Sequence, residues 1–73
     1  MDEQTNHDLV TLVDGVIVAC LKNQLPPVPI ALASAFAQTL AQDESEYAEI
    51  FGELLLLIRE RLEFLQATIQ APN

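Results

Sequence analysis

The sequence predicts an all-α fold: two shorter helices and one long C-terminal helix in a bundle completed by dimerisation. Three observations carry this expectation. Residues 43–69 hold apolar side chains at helical spacing without a proline. A proline-rich link, QLPPVP, separates two earlier apolar segments. Apolar residues make up 51% of only 73 positions, more than one small globule can hide.

The long element is the best defined. Ser45 or Asp43 can cap it by accepting from free backbone N–H groups of the first turn. Asp43, Glu44, Glu46, Glu49 and Glu53 fill its first half, and Arg59 and Arg61 come only in the second, which suits the helix dipole. At about 100° per residue, Tyr47, Ile50, Phe51, Leu54, Leu55, Leu57, Ile58, Leu62, Phe64, Leu65 and Ile69 spread over roughly 180°. A surface helix needs an apolar stripe only a little wider than about 100°. Leu56 falls outside even this broad arc. Such a helix needs more than one neighbour. Its length, about 40 Å at 1.5 Å per residue, also exceeds the roughly 29 Å diameter expected of a globule this size.

A second copy of the chain is the expected cover. The interface residues are Phe51, Leu54, Leu55, Ile58, Arg61, Leu62 and Leu65. Glu46, Glu49, Glu53 and Glu60 gather opposite them as an acidic face for a protein partner. Arg61 lies inside the apolar arc, where an unpaired charge is costly. It is expected to pair with Asp14 or a glutamate of a second subunit, or to lay its stem on apolar surface with its head in water.

One domain spans residues 1–73, with 1–5 and 70–73 as frayed tails. Thr5-Asn6-His7-Asp8 fits a capping box ahead of a helix from about Asn6 to Lys22. Leu9, Leu12, Val13, Val16, Ile17, Cys20 and Leu21 form its apolar side. Asp14-Gly15 between β-branched flanks also signals a hairpin over residues 9–21. The flanks do not alternate cleanly, and an isolated hairpin is marginal, so the helix is preferred. Gln24 to Pro29 reads as a stiff connection, with Pro29 suited to a first helical turn. Pro26 to Pro29 also satisfies P-x-x-P, which a short turn between helices explains fully. A second, alanine-rich helix follows over Ile30 to Gln42 and meets the long helix after almost no loop.

Charge excludes several functions. Eleven acids against Lys22, Arg59 and Arg61 give a formal charge of −8. Nucleic acid is not an expected partner, because counterion displacement needs cations. An anionic membrane would repel the chain, while basic proteins would attract it. The longest uncharged run, Asn23 to Gln42, is broken by prolines and is not a membrane span. An acidic N-terminus and one cysteine suggest a cytoplasmic protein.

Little here suits catalysis. Cys20 is the single cysteine and His7 the single histidine, so no intrachain disulfide forms and no metal or other cofactor is expected. Cys20 reads as a small buried hydrophobe and His7 as an exposed first-turn residue. Glu46-x-x-Glu49 and Glu60-x-x-Glu63 are the one constellation of interest. They resemble the paired E-x-x-E elements with which all-α nucleotide pyrophosphohydrolases hold magnesium on separate helices. On one helix the pairs lie roughly 20 Å apart, so only two antiparallel chains could unite them. The expected function is therefore a non-enzymatic helical interaction module, an adaptor, regulator or small chaperone-like subunit acting as a homo-oligomer. The alternative is a magnesium-dependent nucleotide pyrophosphohydrolase assembled across a dimer.

Overall fold

The computed structural model describes residues 3–70, and they form three helices: α1 (Glu3–Lys22), α2 (Pro29–Leu40) and α3 (Glu44–Gln70). No strand occurs among these residues. The chain divides into two compact units, one of α1 with α3 from Arg61 onward, the other of Val28–Glu60.

α1 begins earlier than the sequence suggests. Thr5 and Asn6 lie within the helix rather than ahead of it, so the anticipated capping box does not mark its start. Glu3 sits in the first turn, where negative charge favours the helix dipole. Gln4 Nε2 donates to Asp8 Oδ1 at 3.0 Å, an i,i+4 contact that supports these early turns. Residues 3–5 and 70, expected as tail, are thus helical; the other expected tail positions, 1–2 and 71–73, lie outside the described residues.

No hairpin forms at Asp14-Gly15, which sits in the middle of α1. A two-residue hairpin turn of this type needs positive φ, and neither glycine has it. Leu9, Val13 and Ile17, four apart, are the buried row of α1.

α1 ends in a Schellman motif. The Leu25 amide donates to the Cys20 carbonyl at 2.8 Å and the Gln24 amide to Leu21 at 3.2 Å. The reversal requires a left-handed residue, and Gln24 supplies it at φ 59°. This position usually holds glycine, because a side chain there crowds the following carbonyl.

Pro29 opens α2 at a position where its missing N–H costs nothing. Val28 precedes it as an N-cap without a side-chain acceptor. α2 stops at Leu40, so Ala41 and Gln42 are not helical as the sequence suggests. The cause is the cap of α3. Asp43 Oδ1 accepts from the Glu46 amide, and Glu46 Oε2 accepts from the Gln42 amide, each at 2.8 Å. This reciprocal pair fixes Asp43, not Ser45, as the N-cap and draws residues 41–42 out of helical geometry.

In the unit of Val28–Glu60 the buried side chains are Ala33, Ala37, Leu54 and Ile58. Two alanines at buried positions let helices approach closely, while Leu54 and Ile58 supply bulk. The Ser34 and Tyr47 hydroxyls hydrogen-bond at 3.0 Å, joining α2 to α3. Tyr47 also stacks on Phe51, with centroids 5.9 Å apart, one turn along α3.

Candidate functional site

The residues expected at an apolar seam fall into three groups. Leu54 and Ile58 are 1% and 0% exposed and belong to the chain's own core. Phe51, Leu55, Leu62 and Leu65 are partly buried and retain surface. Arg61 is committed within the chain. Its Nε donates to Asp14 Oδ1 at 2.8 Å and its Nη2 to Oδ2, a two-pronged ion pair. The guanidinium also lies 5.1 Å from the Phe64 ring centroid. The hydrogen bond to Asp14 raises the Arg61 pKa above its ordinary value, against an opposing effect of desolvation.

Of the acidic face, Glu49, Glu53 and Glu60 are exposed, whereas Glu46 is partly buried and engaged in the α3 cap. Glu46–Glu49 and Glu60–Glu63 remain on one continuous helix, roughly 20 Å apart. Among the described residues, no three His, Cys, Asp or Glu side chains gather where they could hold an ion. His7 is exposed near the start of α1, and Cys20 is a partly buried free thiol. No described helix is long and apolar enough to cross a membrane.

Several large apolar side chains stand in solvent. In the unit built on α1 these are Leu12, Leu25, Phe64 and Ile69, and in the other Val28, Ile30 and Leu56. Leu21, Gln24, Leu25, Pro26, Pro27 and Gln66 line a cleft of about 410 Å³ in the first unit. Pro29 does not join Pro26 and Pro27 in an extended proline run, because it is already helical. Val28, Pro29, Ile30, Leu55 and Arg59 line a second cleft of about 320 Å³ in the other unit.

The second cleft was not legible as a site in the sequence. Its signal is the fixed start of α2 at Pro29, which leaves Val28 and Ile30 as apolar residues flanking an uncapped turn. Arg59 on its rim makes no ion pair among the described residues. The cleft is apolar apart from Arg59 at its edge. No family model, curated protein or solved structure matches this chain.

Proposed function

We propose that this protein is a non-enzymatic helical interaction module, self-associating and presenting acidic surface to a second, basic protein. The observation that carries the reading is the population of large apolar side chains on the protomer surface. Leu56 and Ile30, at 61% and 62% exposed, are the clearest cases. An isolated exposed leucine is ordinary, but seven exposed large hydrophobics among the described residues supply apolar surface that a second copy can cover. The seven buried hydrophobic residues among those described are a thin core for a free-standing domain. Association is a usual remedy where the chain has one thiol and one histidine.

The net charge of −8 adds direction. It steers basic partners toward exposed carboxylates such as those of Glu53 and Glu60. Analytical ultracentrifugation of the chain alone tests self-association, and titration with basic proteins at low salt tests the second part. A single protomer mass at every concentration, with no binding of basic proteins, contradicts the reading. The magnesium-hydrolase alternative predicts a thermal midpoint that rises with millimolar magnesium and nucleotide. An unchanged melt removes it.

A further inference from the structure

On α3, the face opposite Leu54 and Ile58 carries Ala48, Glu49, Gly52, Leu56 and Arg59, all exposed. Three of these residues are unexplained inside the protomer. Leu56 is 61% exposed, although nothing in the helix requires leucine there. Gly52 sits mid-helix with negative φ, and a methyl group added to it would meet nothing within 4 Å. Alanine would therefore fit and would favour the helix, so neither backbone geometry nor packing within the chain calls for glycine. Arg59 has no acid in ion-pair range among the described residues.

We infer that this face is where a second copy docks, through an antiparallel α3–α3 contact centred on residue 54. The inference rests on the self-association proposed above and assigns it a place and a register. In that register Leu56 of each copy seats on Gly52 of the other, and Arg59 meets Glu49. Both pairs share the same midpoint, so one two-fold axis satisfies them together, each contact occurring twice. Ala48 and Glu60 share that midpoint as well, and a small residue there keeps the approach open. Glycine and alanine at a crossing allow short interaxial distances, and leucine fills the space they leave. A parallel arrangement would instead set Arg59 against Arg59 and Glu49 against Glu49, which charge repulsion disfavours.

The same axis accounts for the acidic surface. Glu53 lies to one side of the Gly52–Leu56 row and Glu60 continues that row, so a two-fold axis perpendicular to both helices places both copies' Glu53 on one edge and one Glu60 toward each end of the seam. The dimer thus gathers four carboxylates along its seam, a stronger field for a basic partner than either protomer has alone. Their mutual repulsion opposes association, so added salt tightens the dimer.

The test measures dimer dissociation by sedimentation equilibrium for Arg59→Glu, Glu49→Arg, the double exchange, Gly52→Leu and Gly52→Ala. Each single charge reversal creates two like-charge pairs and weakens dimerisation by about tenfold. The double exchange restores it, because positions 49 and 59 again carry opposite charges across the same register, with the signs swapped. Gly52→Leu closes the approach and weakens dimerisation by about tenfold or more. Gly52→Ala has opposite effects on two readouts: it raises the thermal midpoint of dilute protomer and loosens the dimer. A dimer indifferent to all five variants overturns this seam and leaves self-association standing. Wild-type protein that never exceeds protomer mass overturns both.

Discussion

Asp14 on α1 and Arg61 on α3, 47 positions apart, meet through two parallel hydrogen bonds and so fasten the two ends of the unit they belong to. Guanidinium and carboxylate match in shape, which makes this pair directional as well as attractive. Its side chains are 31% and 25% exposed, so solvent screens it and its worth is modest. Asp14→Ala or Arg61→Ala should each cost about 1–2 kcal/mol, because each leaves a half-buried charge without its partner. A double-mutant cycle by urea denaturation should give a coupling of about 1 kcal/mol. A coupling of zero would make the pair a bystander to folding.

Gln24 offers a gain in stability. It holds the left-handed position of the α1 cap, where a side chain is strained. Gln24→Gly should stabilise the protein by about 0.5–1 kcal/mol, net of the greater freedom glycine has in the unfolded chain. Gln24→Val, β-branched, should do the reverse. Denaturant midpoints at fixed protein concentration check both.

The two later helices start differently, and the difference is measurable. Asp43 caps α3 with a side-chain hydrogen bond, so Asp43→Ala should cost about 1 kcal/mol. Val28 caps α2 without one, so Val28→Asp should add stability of similar size. Amide exchange of the first turn of each helix reports the change locally. Faster exchange at Glu46 in Asp43→Ala is the expected sign.

Leu54 and Leu56 differ by two positions and should differ sharply in consequence. Leu54→Ala removes a side chain that is 1% exposed and should cost about 2–5 kcal/mol, comparable with the whole stability of so small a core. Leu56→Ala should leave dilute protomer within about 0.5 kcal/mol of wild type, since the side chain is 61% exposed. Its effect should appear in association instead.

The helices were legible because their signals are local. Periodic leucines, a capping side chain at Asp43 or Ser45 and Pro29 each act within a turn or two, and each marked an element, with the choice between the two caps left open. The ends of α1 and α2 were less legible. A capping-box pattern at Thr5 matched in sequence, yet Glu3 and the Gln4–Asp8 contact carry the helix past it. Glutamine at a left-handed cap gives no compositional warning, and Gln24 was read only as part of a linker. Arg61 was legible as a charge in need of a partner, and Asp14 was one of its possible acids. The choice between Asp14 and an acid of a second subunit depends on tertiary placement, which periodicity does not encode. Likewise, one broad apolar arc could not reveal that Leu54 and Ile58 are fully buried while Phe51, Leu55, Leu62 and Leu65 keep surface; Leu56, which falls outside the arc, faces water.

The most direct test of the central claim is the molar mass of wild-type protein by sedimentation equilibrium at low and high salt. Self-association predicts a mass approaching twice the 8.1 kDa of the chain, with tighter assembly as salt screens the −8 charge of each copy. A folded species that stays at 8.1 kDa across concentration and salt would contradict it.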